Sequence, residues 1–319
     1  MDQVPVTVLT GYLGAGKTTL LNRVLSEQHG KKYAVIVNEF GELGIDNELI
    51  VDAEEEVFEM NNGCICCTVR GDLIRIIDGL MKRKGRFDAI LIETTGLADP
   101  APVAQTFFVD EDVRSRTKLD SIITVVDAKH FLQRLRDSHE AAEQVAFADT
   151  ILLNKIDLVS LEEAAQVEAR IRALNPLAQV HRTDHCEVSV TELLNRGGFD
   201  LDRILEIEPK FLDEEDHEHD DAISSVSLRA TRPLDSDRFN NWISNLLRER
   251  GVDILRCKGI IDLQNSPKRF VFQGVHMLMD GTAGKSWREG DVRESKFVLI
   301  GRNLDPIALK NGFEKCIAA

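Results

Sequence analysis

Apolar residues along this chain fall into short blocks, and the spacing between blocks alternates between two periods. Val4 to Thr10 is a mostly apolar, β-rich run ending at a glycine, which predicts a buried strand. Thr18 to Ser26 then carries Leu20, Leu21, Val24 and Leu25 at helical spacing. Further strands are predicted at Tyr33–Val37, Ala89–Ile92, Ser121–Val126 and Ile151–Leu153, with helical patterns at Leu73–Arg83, Gln133–Phe147 and Leu161–Leu174. Residues 41–56 are acidic and irregular and read as a loop. Short apolar strands separated by helices predict βαβ units, hence a mostly parallel sheet with helices on both faces.

The pattern breaks at Asp-Glu-Glu-Asp-His-Glu-His-Asp-Asp, residues 213–221. Such a block repels itself and reads as a solvated linker. Beyond it, Ile223–Ala230 alternates like a strand, and Asp235–Arg248 has a helical apolar face. Asp253–Leu263, Arg269–Met279 and Ser295–Ile300 read as strands, and Asp305–Ala318 as a closing helix. The organisation expected is an α/β domain over 1–208, an acidic linker over 209–222, and a smaller α+β domain over 223–319. There is no internal repeat.

Composition narrows the function classes. Thirty-nine basic against 54 acidic residues give a net charge of −15. A nucleic-acid binder needs a basic face to neutralise phosphates, so that class is disfavoured. No apolar run reaches the ~20 residues of a membrane span. The start, Met1-Asp2-Gln3-Val4-Pro5, lacks the basic flank of a signal peptide, so a cytoplasmic protein is expected. Six cysteines in 319 residues are too few for a disulfide scaffold, and three of them sit together.

Gly11-Tyr12-Leu13-Gly14-Ala15-Gly16-Lys17-Thr18 fits the phosphate-binding loop G-x-x-x-x-G-K-[ST], with a strand before it and a helix after. Gly11, Gly14, Ala15, Gly16, Thr18 and Thr19 are the expected cradle for nucleotide phosphates at a helix N-terminus. Lys17 is expected on the β/γ-phosphates and Thr18 on Mg²⁺. Asn154-Lys155-Ile156-Asp157, after Ile151–Leu153, fits the guanine-reading N-K-x-D signature. Asp157 would accept from the N1–H and N2–H₂ donors that adenine lacks, and Lys155 would lay its stem along the purine. Between the two motifs, Ile90–Ile92 ends in Glu93-Thr94-Thr95-Gly96. Glu93 stands where a carboxylate on the Mg²⁺ side is expected, and Gly96 could offer its N–H to the γ-phosphate.

Gly63-Cys64-Ile65-Cys66-Cys67 sets three thiols within four positions. Thiolates select soft or borderline ions, chiefly Zn²⁺ and Cu⁺. Three sulfurs leave a tetrahedral shell open, which suits transfer more than permanent binding. A redox switch and a buried apolar cluster are the competing readings. The cluster lies between the phosphate loop and Glu93, so metal and nucleotide affinities are expected to be linked reciprocally.

Together these residues resemble the CobW family of metallochaperone GTPases, and within it the YjiA-type branch. The resemblance rests on Gly11–Thr18, Asn38-Glu39-Phe40-Gly41-Glu42, Gly63–Cys67, Glu93–Pro100 and Asn154–Asp157. It continues through Arg256-Cys257-Lys258-Gly259 and Phe272-Gln273-Gly274-Val275-His276. It implies a GTPase domain with a CobW-type C-terminal domain, slow GTP hydrolysis, and delivery of zinc to client metalloproteins. Branches serving cobalt, iron or nickel, and a non-catalytic zinc buffer or sensor, remain the alternatives, and a homo-oligomer is left open. The resemblance implies Lys17, Glu39 and Glu93 as catalytic residues, with Glu39 positioning the attacking water. It implies Glu42 or Asp46 beside Cys64, Cys66 and Cys67 in the metal shell. Some relatives carry a glutamate two residues before Glu39, where this chain has Val37. His217 and His219 read as part of the solvated linker, and His181, His185 and Cys186 as a surface loop. Cys257 and His276 read either as interior residues or as part of a client surface.

Overall fold

The computed structural model describes residues 3–27, 30–38, 57–60, 68–82, 87–194, 197, 223–288 and 290–318. The chain divides into two compact units, Met1–Arg170 with Ala178–Gly198, and Ile171–Leu177 with Phe199–Ala319.

The first unit is built on a seven-stranded sheet: β1 (Val4–Thr10), β2 (Tyr33–Asn38), β3 (Val57–Met60), β4 (Ala89–Glu93), β5 (Thr117–Asp127), β6 (Thr150–Asn154) and β7 (Gln179–Arg182). Their spatial order is β3-β2-β4-β1-β5-β6-β7, and every neighbouring pair is parallel. A parallel sheet is covered on both faces, so its strands read as continuous apolar runs. All five residues of β4 and of β6 are accordingly buried. On one face, Leu9, Val35, Val37, Leu91, Ile123, Val125 and Leu152 pack with Leu20, Leu21 and Val24 of α1 (Lys17–Ser26). Because all strands run the same way, their C-terminal ends share one rim, where open α/β sheets bind ligands. The phosphate loop and the N-K-x-D turn follow β1 and β6 on that rim.

The second unit holds an antiparallel sheet in the order β11-β10-β9-β12-β8, from β8 (Ile223–Ala230), β9 (Ile254–Asp262), β10 (Lys268–Val275), β11 (Leu278–Ser286) and β12 (Ser295–Arg302). Helices Ser236–Arg250 and Pro306–Glu314 contribute Phe239, Ile243, Leu309 and Phe313 to its core. Asp235 starts the first of these helices by accepting the N–H groups of Asp237 and Arg238. The α/β-plus-α+β architecture expected from the apolar pattern is the one observed.

Several elements differ from the expectation. The helix expected over Gln133–Phe147 is two, Phe131–Asp137 and His139–Phe147. Ser138 between them is extended, and its hydroxyl donates to Glu140; serine competes with helix by such local bonds. The strand expected over Arg269–Met279 is a hairpin, turned at His276 in the left-handed region (φ 55°). The edge strands β3 and β7 have four residues each, too few to show a period. Helices Ala101–Val109 and Glu111–Arg116 were not expected either.

Candidate nucleotide site

The phosphate loop is seated on its neighbours by close backbone approach. Gly11 has φ +140°, and a Cβ there would lie 2.3 Å from the carbonyl oxygen of Val125 on β5. Gly16 has φ +119°, and its Cβ would lie 2.6 Å from the Asn154 amide nitrogen and 3.3 Å from Cys186 Sγ. Only glycine satisfies both demands. Gly16 is also the N-cap of α1, so the first free N–H groups of that helix open onto the loop. Lys17 is buried, and its ammonium donates to Gly11 O at 2.9 Å and Tyr12 O at 3.4 Å. Thr18 is half-buried and Thr19 exposed in the first turn of the helix.

The N-K-x-D turn is bolted to this loop. Asn154 is 2 % exposed, and its amide donates to Ala15 O at 2.9 Å. Its oxygen accepts the Thr183 hydroxyl at 3.2 Å and the Cys186 N–H at 2.9 Å. Lys155 adopts a left-handed backbone (φ 62°), and its ammonium donates to Gly14 O at 2.7 Å and to Asp127 Oδ2 at 2.8 Å. Asp157 lies exposed in the short turn Ile156–Leu158 that follows. A cavity of ≈ 230 Å³ borders Tyr12, Gly14, Asp127, Arg134 and Lys155, with the Arg134 guanidinium 5.1 Å over the Tyr12 ring.

Glu93 ends β4, paired with Leu9 of β1, and is buried. Thr94 continues the ladder, its N–H donating to Leu9 O at 2.9 Å. Gly96 lies against the phosphate loop, where a Cβ would sit 2.6 Å from Leu13 N. The buried amide of Gln144 donates to Gly96 O at 3.1 Å and Ala98 O at 3.3 Å, fixing the segment after Glu93 from behind.

Electrostatics follow the geometry. Burial raises the Asp127 carboxyl, but hydrogen bonds from Lys155 and His130 outweigh it and hold the group below the ordinary 3.8. Burial pushes the Cys186 thiol up to about 11, against a downward pull from Arg23 and Lys155.

The structure thus gathers Gly11, Gly14, Ala15, Gly16, Lys17, Gly96, Asn154 and Lys155 about one loop. Glu39, Glu42, Asp46, Cys64, Cys66 and Cys67 lie outside the described residues, as do His217 and His219. Among the described residues no group of three or more His, Cys, Asp or Glu side chains could hold a metal. The surface-loop expectation holds for His185, which is exposed in the turn after β7, but not for the other two: His181 is half-buried within β7, and Cys186, in the same turn as His185, is fully buried and donates its thiol inward to Gly16 O at 3.4 Å. Cys257 is a core residue of the second unit, fully buried, with Gly274 making room for its sulfur. Thr183, Cys186, Asp127 and Gln144 escaped sequence reasoning. Their contacts to Asn154, Gly16, Lys155 and Gly96 come from long-range closure, which no local spacing marks.

Residues 5–182 match the family model "CobW/HypB/UreG, nucleotide-binding domain", and residues 223–317 match "Cobalamin synthesis protein cobW C-terminal domain". The zinc chaperone YjiA of Escherichia coli is 38% identical, across 98% of both chains. The zinc chaperone CobW of Pseudomonas aeruginosa is 35% identical over 100% of this chain and 92% of that protein. The crystal structure of Zn(II)-bound YjiA GTPase from E. coli superimposes with a TM-score of 0.82, at 32% identity and complete coverage of both chains.

Proposed function

Because the chain belongs to the CobW/HypB/UreG family, we propose that it is a GTP-hydrolysing zinc metallochaperone, which takes Zn²⁺ as cargo and passes it to client metalloproteins. The observation that carries the nucleotide half is the double tether of Asn154 to Ala15 O and Lys155 to Gly14 O. With the N-K-x-D turn hydrogen-bonded to the G-x-x-x-x-G-K-T loop, one corner would offer both a base reader and a phosphate cradle, which supports the reading. Asp157 would read the base edge, and adenine would leave its carboxylate without donors. Lys17 would exchange its loop carbonyls for β/γ-phosphate oxygens and balance charge on the transferred phosphoryl group. Gly96, held against Leu13, would direct its N–H toward the γ-phosphate, and Glu39 would orient the attacking water.

Thr18 and Glu93 fit Mg²⁺. Both offer oxygen donors of the kind a hard cation takes, and β4 lies beside the strand that leads into the loop. Held there, Mg²⁺ would supply charge neutralisation to the nucleotide's phosphates.

The cargo half rests on the sulfur trio Cys64, Cys66 and Cys67, with Glu42 as a further ligand, and on the zinc named for the relatives. The domain boundaries 1–208, 209–222 and 223–319 are part of the same proposal. A titration of Zn²⁺ into protein held with a non-hydrolysable GTP analogue or with GDP tests it. Tighter binding in the GTP-analogue state by about tenfold, within the usual range of coupling energies, is expected. Equal affinity in the two states removes nucleotide control of the cargo. GTP turnover indistinguishable from buffer, with zinc present, removes the enzyme.

A further inference from the structure

Beside Lys155 stands a carboxylate that no nucleotide-binding motif includes. Asp127 is the last residue of β5, the strand on which Gly11 rests. Its Oδ1 accepts the backbone N–H groups of Lys129 at 2.9 Å and His130 at 3.1 Å. Those two bonds lock the carboxylate plane. Oδ2 then meets the Lys155 ammonium at 2.8 Å, with His130 Nδ1 at 3.1 Å on its other side. The side chain of Asp127 is 14 % exposed and that of Lys155 32 %, so this pair is shielded more than a surface ion pair. The lysine ends on Gly14 O. One ammonium therefore joins β5, the base-reading turn and the phosphate loop.

A lysine stem has many rotamers, and most of that freedom is lost when it lies along a purine. A partner that fixes the ammonium beforehand removes the loss from the binding step. We propose that Asp127 is the positioning residue of Lys155: it orders the lysine before nucleotide arrives and so sets guanine-nucleotide affinity without touching the nucleotide. This deepens the guanine-nucleotide reading above and rests on it.

Asp127→Asn isolates the pair. Asparagine keeps Oδ1 for the two backbone N–H groups and puts an amide in place of the oxygen that faces Lys155. The test is a double-mutant cycle in the full chain, reading the Kd of a fluorescent GDP for wild type, Asp127→Asn, Lys155→Ala and the double variant. Asp127→Asn is expected to weaken GDP about tenfold beside Lys155 and less than about twofold beside alanine, a coupling within the range seen for touching residues. At saturating GTP, kcat is expected to stay within about twofold, since the lost interaction is uniform binding. The same penalty in both backgrounds, or no penalty at all, overturns the proposal, because a merely structural aspartate acts whether or not Lys155 is present. Asp127→Ser, which keeps a short acceptor for the turn, takes the place of the asparagine variant should that fail to fold. Wild type that binds no GDP overturns the guanine reading and this inference with it; wild-type binding with additive losses overturns this inference alone.

Discussion

The nucleotide corner of the first unit and the core of the second are held together by different materials. In the corner, side chains bind backbone: Asn154 reaches Ala15 O, Lys155 reaches Gly14 O, Cys186 reaches Gly16 O, and Gln144 reaches Gly96 O. In the second unit the centre is aromatic. Phe239 meets Phe272, Phe297 and Phe313 edge-on, at centroid distances of 5.6, 6.1 and 6.3 Å. Directional bonds fix loop positions to a fraction of an ångström, which a phosphate site requires. Aromatic packing supplies burial energy and tolerates small adjustment. The first region is built for geometry and the second for stability.

That contrast can be broken from either side. The largest effect is expected from Phe239→Ala, which removes a ring only 1 % exposed and should cost the second unit about 3–5 kcal/mol. Denaturant unfolding reads the loss, while GDP affinity should hold within about twofold, since the side chains that hold the corner, Asn154, Lys155, Cys186 and Gln144, all belong to the first unit. A large drop in affinity would mean that the aromatic core also serves the nucleotide.

Asn154→Ala should do the reverse. It strips hydrogen bonds from Ala15 O, the Thr183 hydroxyl and the Cys186 N–H at once, for a stability loss of about 1–3 kcal/mol. GDP binding should fall at least about tenfold, because the two loops lose register. Isothermal titration and thermal melting on the same sample separate the two terms.

The smallest effect is expected in the reactivity of two buried thiols, one in each region. Burial pushes Cys257 up to about 12 against a downward pull from Arg256, and Cys186 up to about 11 against Arg23 and Lys155. A raised thiol pKa keeps the group protonated and unreactive until the pH approaches that value. Alkylation of the folded protein at pH 8, followed by peptide mass spectrometry, should therefore leave both unmodified. Modification of either thiol in the folded protein at that pH would contradict the burial that raises both.

Motifs carried by local backbone chemistry were legible in the chain. Gly11, Gly14, Gly16 and Lys17 announce their loop because the turn admits few other residues, and Asn154-Lys155-Ile156-Asp157 follows an unmistakable apolar strand. The alternation of periods announced the change of architecture after residue 222. Residues whose role exists only through long-range closure were not legible. Cys186 lies 170 positions from Gly16, and Asp127 lies 28 from Lys155; neither has a spacing that marks it. The hairpin at His276 was hidden for a related reason. Both flanks are strand-like, and neither His276 nor Met277 is one of the glycine, proline, asparagine or aspartate residues that usually mark a turn.

The tight seating of Gly16 limits what can stand in its place. Its missing side chain leaves a space already filled by the Asn154 amide and the Cys186 sulfur. Positions 16, 154 and 186 thus form one steric unit drawn from three distant stretches of sequence, and added bulk at 16 would have to displace the other two.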